Sequence, residues 1–323
     1  MTPLIGSVRF GLASAPSNPV DGQVYYDTGD DKLYIYHASS TSWVGAIAPH
    51  LIGGTVSGYD GHTVHTFTSS GTLVVSGASA TCHVLVVGGG GGGGRRHGGG
   101  GGAGGLIYKQ NHSFGVGRYT VTVGNGGNGA HSSSGSSGTN GQDSSIDSLF
   151  IAKGGAIGAC DTAFHSNTGG CGGGSDDGSS NYGTAIQRSQ SGDSGTYGFG
   201  NDGAAYASWT GGGGGGAGAA GSGQNGGNGL QEGTNISYAS AGTVTFDING
   251  TGNWYAGGGG GGQFSGGPGR GDGGSGGGGT GMNYQEYEGT NGTANTGGGG
   301  GGEGDDALYG MDGGSGIVII RYG

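Results

Sequence analysis

Short runs of apolar and aromatic residues separated by turn residues characterise the first 50 positions of the chain. Residues 23–26 and 32–36 predict two strands joined by a polar turn at residues 27–31, and residues 42–44 predict a short third strand. An isolated hairpin is only marginally stable in water. We therefore expect this unit to pair either with the rest of the chain or with copies of itself.

The strongest strand patterns lie between residues 51 and 124. Residues 64–67 and 71–75 predict the two strands of a hairpin, and residues 80–87 predict a buried strand that runs directly into seven glycines. Residues 118–123 alternate with period two, which is typical of a half-buried strand. We expect this part of the chain to supply most of the β-structure.

The last strand pattern is at the C-terminus, where residues 316–322 form another apolar run. A terminal strand of this kind needs a sheet to join, so we expect it to return and pair with strands from residues 62–124. This pairing would close a β-sandwich and leave residues 125–315 as a long insertion. The predicted fold is all-β with no significant α-helix, and the predicted domains are residues 1–50 and 51–323.

The insertion is dominated by glycine, which makes up 96 of the 323 residues. The main tracts are 88–105 with a basic interruption, 169–174, 211–216, 257–262, 276–279 and 297–302. Glycine does not recur at every third position and the chain has only 5 prolines, which argues against collagen. Glycine tracts favour extended threefold helices that pack side by side, because no side chain keeps the backbones apart. We therefore predict a bundle of polyglycine-II helices.

The chain is acidic and weakly charged, with 21 acidic against 10 basic residues and a net charge of −11. Binding to a phosphate backbone needs clustered cations, and the only adjacent basic pair is Arg95-Arg96. Nucleic acid is therefore not expected as a partner. No apolar run approaches the length of a membrane span, and the N-terminus lacks the pattern of a secretory signal. We expect synthesis in a cytoplasm and no membrane insertion.

No catalytic or metal site is predicted. Cys82, Cys160 and Cys171 match no zinc spacing; Cys160 and Cys171 either pair across a glycine-rich turn or stay as thiols, which is the simpler interpretation. The acidic pairs at residues 176–177 and 305–306 do not follow a calcium-loop pattern. Repeated G-x-G-x-x-G matches only reflect the abundance of glycine. We predict no cofactor and no enzymatic activity.

The order of these pieces resembles the glycine-rich domain of bacteriophage tail-fibre and related receptor-binding adhesin proteins. The resemblance is carried by residues 67–72, 84–94, 118–124 and 313–322. It spans about residues 62–323, and residues 18–44 separately resemble a hairpin module of phage fibre proteins. The family implies a β-rich base, a polyglycine-II bundle, and distal loops that bind host surface glycans or outer-membrane proteins. The segments 106–168 and 175–210 are too long for a uniform repeat of tract and tip.

Candidate receptor-binding residues are aromatic and basic residues between the tracts, because loops on a rigid scaffold often carry binding residues. They are Tyr197, Phe199, Trp209, Trp254, Tyr255, Tyr284, Tyr287, Arg95 and Arg96. The alternative for any one ring is that it caps the bundle or packs in a small core. For the arginines, the simpler interpretation is a solvated turn. Residues 243–248 followed by Asn249-Gly250 predict a ribbon that carries Trp254 and Tyr255.

The leading hypothesis is a non-enzymatic virion protein, a tail-fibre or fibre-tip component that attaches to a host cell-surface polysaccharide or outer-membrane protein. The first 50 residues would attach it to other virion tail proteins or to sister copies, and fibre architecture implies a homotrimer. The main alternative is a purely structural fibre, baseplate or head-fibre component without receptor binding. An ice-binding polyglycine-II protein fits the irregular inserts less well, and an enzyme is the remaining alternative.

Overall fold

A computed structural model of the chain describes residues 9–12, 15–27, 32–45, 48–131, 138–160, 168–176, 180–206, 209–266, 269–284, 288–304 and 309–323. Its strands are β1 Arg9–Leu12, β2 Val24–Asp27, β3 Lys32–His37, β4 Ser42–Gly45, β5 His50–Ile52, β6 Thr55–Tyr59, β7 His62–Phe67, β8 Gly71–Ser76, β9 Ala80–Val87, β10 Leu106–Phe114, β11 Gly117–Thr122, β12 Ser144–Ile146, β13 Phe150–Ala152, β14 Gly198–Phe199, β15 Leu230–Gln231, β16 Asn235–Ser237, β17 Thr243–Thr245, β18 Trp254–Tyr255 and β19 Ile317–Tyr322. Helical structure in the described residues is limited to a 3-10 turn at Gln187–Ser189 and α1 at Gly192–Thr196. The prediction of an all-β fold without significant helix is confirmed.

The first of two compact units comprises Met1–Ile52, Val74–Ala80 and Ser113–Gly117. Its four-stranded sheet has the order β1-β2-β3-β4, with β1 parallel to β2 and the other pairs antiparallel. Tyr25 on β2 is buried and meets Trp43 on β4 edge-on, with 4.6 Å between the ring centroids. The three strands predicted for this unit are confirmed.

The second unit contains a six-stranded sheet with the order β14-β10-β9-β19-β7-β6. Strand β19 is antiparallel to both of its neighbours, with Ile319 opposite Leu85 on β9 and Thr66 on β7. The apolar run suits this position because residues 317–320 are all buried. The predicted return of the C-terminus to the strands of residues 62–124 is confirmed.

The hairpin predicted within residues 64–75 is not formed. Strand β7 pairs with β6 on one side and β19 on the other, whereas β8 pairs with β5 through Leu51 opposite Val75. Both edges of β7 are therefore occupied. Since a strand has only two edges for backbone pairing, β8 has to find a different partner.

The second unit also contains smaller antiparallel pairings. Strand β11 pairs with β12, and β12 pairs with β13, which confirms the strand predicted at residues 118–123. The ribbon predicted around Asn249-Gly250 forms differently, because β17 pairs with β16 and β18 pairs with β15. The reason is Glu232, whose buried carboxylate accepts hydrogen bonds from the backbone amides of residues 248–251.

Each backbone amide of residues 88–94 donates to one of three neighbouring segments in rotation. The first, fourth and seventh amides donate to residues 99–105, the second and fifth to 139–142, and the third and sixth to 311–314, at N···O distances of 2.8–3.2 Å. A repeat of three residues is that of the polyproline-II helix. The predicted polyglycine-II arrangement is therefore formed.

Three other segments donate hydrogen bonds back to the carbonyl groups of residues 88–94. They are residues 127–130, 155–158 and 300–303, at N···O distances of 2.8–3.0 Å. The helix at residues 88–94 is thus surrounded by neighbours in six directions. A Cβ on Gly91 would lie 2.0 Å from the carbonyl oxygen of Ala156, so only glycine fits at this position.

Segments without long glycine tracts also join this bundle. Residues 124–130 have the sequence GNGGNGA, and Gly127 and Ala130 donate to the central helix while Asn125 and Asn128 are exposed. A helix on the perimeter needs glycine only where it faces a neighbour. The long segments that do not match a repeat of tract and tip therefore contribute further helices.

The bundle has two distinct ends. Val87 ends β9 and Leu106 begins β10, so residues 88 and 105 lie where the bundle meets the strands. The chain turns at residues 95–97, roughly 19 Å away at about 3.1 Å per residue. We call the first of these ends the strand end and the second the loop end.

Candidate functional site

The turn at residues 95–97 is held by a buried carboxylate at the loop end. Arg96 and His97 have φ angles of 53° and 59°, a left-handed conformation that non-glycine residues adopt only at a cost. The Arg96 amide donates to Oε2 of Glu303 at 3.4 Å, and Glu303 is 1% exposed. The side chains of Arg95 and Arg96 are partly exposed on this turn.

Four aromatic rings from four distant segments meet at the same end. The His97 ring lies 4.5 Å from that of Phe264 and 6.1 Å from that of Trp209, measured between centroids. The Phe264 ring lies 5.4 Å from that of Tyr284. The Phe264 amide donates to the carbonyl oxygen of Trp209 at 2.9 Å, and Trp209 is 55% exposed. We call His97, Trp209, Phe264 and Tyr284 the end cluster.

Sequence reasoning identifies half of the end cluster. The predicted set contains Trp209 and Tyr284 but omits His97 and Phe264. Both omitted residues lie within two positions of a glycine tract, at residues 98–102 and 257–262 respectively. Because tract ends become bundle ends, this position is the signal that identifies them.

The predicted receptor-binding residues divide between the two ends of the bundle. Those that come together at the loop end are Arg95, Arg96, Trp209 and Tyr284. Those that lie at the strand end are Tyr197, Phe199, Trp254 and Tyr255. Tyr287 lies outside the described residues, so its role stays a prediction.

Phe199 and Tyr255 are core residues, with 2% and 3% of their surface exposed. Phe199 on β14 lies opposite Leu106, and Tyr255 on β18 lies opposite Leu230. Short strands at the strand end therefore turn both rings into the core, and the expectation that they are exposed is corrected. The interpretation of such rings as parts of a small core applies to these two.

Tyr197 and Trp254 differ in what surrounds them. The Tyr197 ring is half-buried, with Nζ of Lys109 3.5 Å from its centroid and the ring of Tyr238 edge-on at 5.0 Å. Trp254 lines an open cleft at the strand end. Tyr197 is therefore a packing residue, whereas Trp254 stays open to a ligand.

The three cysteines are buried, and none of them forms a disulfide. Burial raises the pKa of Cys82 and of Cys171 to about 12, and it also raises the pKa of Cys160. The thiolate is the reactive form of cysteine, so these thiols are inert at neutral pH. The interpretation of all three as thiols is confirmed.

No metal centre is found among the described residues, where no group of three His, Cys, Asp or Glu side chains is placed to hold an ion. Of the two acidic pairs considered above, Asp176 is described, whereas residues 177 and 305–306 lie outside the described residues. Within the same described part of the chain, no helix has the length and apolar character needed to cross a membrane.

The fold and the loop end together define a class of protein. It is a glycine-rich β-protein, in which a polyglycine-II bundle extends from strands and presents side chains at its far end. The family model of the glycine-rich domain matches residues 66–323, and the chain belongs to this family. Comparison with curated proteins gave no match. The resemblance to a glycine-rich domain is confirmed, while the link to phage fibres and to a hairpin module stays a prediction.

Proposed function

We propose that the chain is a bacteriophage tail-fibre or fibre-tip protein that attaches to a host cell surface through the end cluster and the adjoining Arg95-Arg96 pair. The observation that carries this proposal is the gathering of aromatic rings and cations at the loop end of the bundle. Trp209, with 55% of its surface exposed, is the centre of the proposed contact.

The chemistry of the loop end suits recognition of a surface glycan or an outer-membrane component. Aromatic rings supply rigid contact area at a low cost in side-chain entropy, and Trp, Tyr and Arg dominate binding hot spots. The guanidinium groups of Arg95 and Arg96 can pair with anionic groups on the receptor. The site therefore combines stacking with charge recognition.

The bundle supports this role by fixing the rings without a large apolar core. The backbone of the central helix is hydrogen-bonded in six directions, so the loop end is anchored by amides rather than by side-chain packing. Binding residues on loops gain affinity when a rigid scaffold positions them beforehand. The proposed protein is non-enzymatic and needs no cofactor for this task.

The remaining parts of the proposal concern assembly. We assign residues 1–50 to contact with other virion tail proteins or with sister copies, and we place the protein in the virion as part of the tail fibre. A homotrimer is the assembly that fibre architecture implies.

Adsorption competition tests the proposed function. Labelled chain added to host cells before the virus that carries it is expected to bind in a saturable way and to block adsorption. Trp209→Ala is expected to weaken cell binding about thirtyfold, the loss typical of a hot-spot residue. Val56→Ala is the matched control, because Val56 is equally exposed at 57% and lies on edge strand β6. Folded, assembled chain that neither binds cells nor slows adsorption would overturn the proposal in favour of the purely structural component.

A further inference from the structure

A cleft lined by both polar and apolar residues opens at the strand end of the bundle, away from the end cluster. His97 precedes the glycine helix at residues 98–105 and Phe199 pairs with Leu106 just after it, so this helix separates the two places by roughly 20 Å. The cleft has a volume of about 430 Å³, which lies in the range of small-molecule sites. We propose that it binds a saccharide that carries a carboxylate group, such as a uronic acid.

The first wall of the cleft presents a cation. Arg188 lies in the 3-10 turn beside Gln187, which is fully buried. The Gln187 amide group accepts from the Lys153 amide at 2.8 Å and donates to the Ser194 carbonyl at 2.9 Å, so the turn is fixed. The guanidinium of Arg188 lies 5.4 Å from the centroid of the Phe199 ring. Arg188 is thereby positioned before any ligand arrives.

The charge of Arg188 is not neutralised within the described part of the chain, where no carboxylate lies at ion-pair distance from it. The chain as a whole carries a net charge of −11. An exposed guanidinium that has no carboxylate partner and lies in the wall of a cleft favours an anionic ligand. The planar fork of the guanidinium matches a carboxylate with two parallel hydrogen bonds.

A second wall of the cleft presents an aromatic ring and amide side chains. Tyr255 on β18 and Ile236 on β16 are buried in the core. Trp254 and Asn235, their chain neighbours, line the cleft, together with Gln231, which is opposite Trp254 on β15. This wall offers an indole face for stacking and amides for hydroxyl groups.

The two walls together select one chemical class. The apolar face of a pyranose ring stacks on an indole, amides exchange hydrogen bonds with sugar hydroxyls, and Arg188 pairs with the carboxylate. A neutral sugar leaves Arg188 without a partner, and a small inorganic anion leaves Trp254 uncovered. The inference does not rest on the proposed attachment function, because it concerns different residues at the other end of the bundle.

Calorimetric titration of the full chain tests this site, with methyl glucuronide as the probe and methyl glucoside as its neutral counterpart. We expect saturable binding of the glucuronide and about tenfold weaker binding of the glucoside. Arg188→Gln is expected to weaken glucuronide binding about tenfold and to leave glucoside binding unchanged. Trp254→Ala is expected to weaken binding of both sugars. Arg118→Gln, at an exposed arginine on β11, is the matched control with no expected change.

Three results would overturn the assignment. They are absence of saturable glucuronide binding in the millimolar range, equal glucuronide affinity in Arg188→Gln and the original chain, and binding of acetate as tight as that of the glucuronide, which would indicate an anion site only. Circular dichroism of each variant separates loss of binding from loss of fold. The titration uses no cells, so its failure and the failure of the adsorption test are independent results.

Discussion

At the scale of single residues, the glycines of this protein differ in what a side chain would meet. A Cβ on Gly91 would lie 2.0 Å from the carbonyl oxygen of Ala156, whereas a Cβ on Gly58 in β6 would have its nearest neighbour at 3.8 Å. Backbone on every side of Gly91 is hydrogen-bonded and cannot move aside independently. The cost of a methyl group therefore depends on the position in the bundle and not on glycine as such.

Gly91→Ala is expected to lower the free energy of unfolding by about 3 kcal/mol or more, because overpacking against fixed backbone is costly. Gly58→Ala is the matched control and is expected to change it by less than about 0.5 kcal/mol. Chemical denaturation followed by circular dichroism measures both values. Equal stability of the two variants would contradict the account of central glycines as the residues that permit backbone contact.

A second residue-scale prediction concerns His83, whose Nδ1 lies 2.9 Å from Nη2 of Arg321. Nη1 of Arg321 donates to Oδ2 of Asp247 at 2.8 Å. A guanidinium only donates hydrogen bonds, so Nδ1 of His83 accepts one and the imidazole is neutral. Burial first, and then the charge of Arg321, lower the pKa of His83 below its ordinary value. A proton on Nδ1 would remove the acceptor for Nη2 and place two positive charges next to each other.

Stability is therefore expected to fall as the pH drops below about 6.5, the ordinary pKa of histidine. The folded state has the lower pKa, so the unfolded state binds more protons in this range, and the loss levels off below the folded pKa. His83→Gln is expected to reduce the difference in unfolding free energy between pH 7.5 and pH 5. Burial also lowers the pKa of His112, so a smaller difference is expected to persist. An unchanged pH profile in the variant would refute this role for His83.

At the scale of elements, the perimeter helices differ from the central helix in their hydrogen-bond acceptors. Their outward-facing amides have no neighbouring backbone carbonyl to donate to, and side-chain oxygens on the adjacent helix accept their hydrogen bonds instead. Oδ1 of Asn225 accepts from the Asp272 amide at 2.9 Å, and Oδ1 of Asn228 accepts from the Ser275 amide at 3.0 Å. The spacing of three residues on both helices follows from the threefold repeat. Both asparagines belong to the motif N-G-G-N-G at residues 225–229.

Asn228→Ala is expected to lower the free energy of unfolding by about 1 kcal/mol, since the Ser275 amide loses its hydrogen-bond partner. Asn228→Asp keeps an acceptor oxygen at the same place and is expected to restore most of the loss. Asn125→Ala is the matched control, because Asn125 stands in a second N-G-G-N-G motif at residues 125–129 and is also exposed. Denaturant melts compare the three variants, and equal losses for Asn228→Ala and Asn228→Asp would contradict the role of the acceptor.

Elements with a strong local pattern are predictable from the sequence, while their partners are not. The period-two strand at residues 118–123 and the apolar C-terminal strand follow from their own residues. The hairpin at residues 64–75 fails because β19 arrives from about 250 residues further along the chain and occupies one edge of β7. The ribbon at Asn249-Gly250 fails because the carboxylate of Glu232, distant in sequence, holds the turn. Partner choice depends on contacts that local periodicity does not record.

The same difference between local pattern and distant contacts limits how far the candidate site can be predicted from the sequence. Aromatic and basic residue types between glycine tracts indicate a recognition surface, and this part of the prediction follows from composition. The meeting of His97, Trp209, Phe264 and Tyr284 depends on the lengths of the helices between them and on their register, which glycine sequences leave unspecified because each residue looks alike. The inward direction of Phe199 likewise depends on its pairing with Leu106.

At the scale of the whole molecule, the glycine bundle is expected to open as one cooperative unit. Ordering glycine costs more backbone entropy than ordering any other residue, and a single polyproline-II helix has no internal hydrogen bonds to offset that cost. The central helix at residues 88–94 draws all of its hydrogen bonds from neighbouring segments. Removing one neighbour therefore weakens the helices that remain, and partial bundles are unstable.

Hydrogen exchange measured by mass spectrometry tests this cooperativity. Amides of residues 88–94 and of their partners at residues 311–314 are expected to exchange together, with protection close to that of global unfolding. The exposed residues 239–242 are the internal control and are expected to exchange rapidly. Gly91→Ala is expected to speed exchange at residues 311–314 as much as at residues 88–94. The carbonyl groups of Met311 and Gly314 accept hydrogen bonds from residues 93 and 90, so the two segments are held in place together. Faster exchange confined to residues 88–94 would show that the helices open independently, and the loop end would then lack the rigid support on which its proposed role depends.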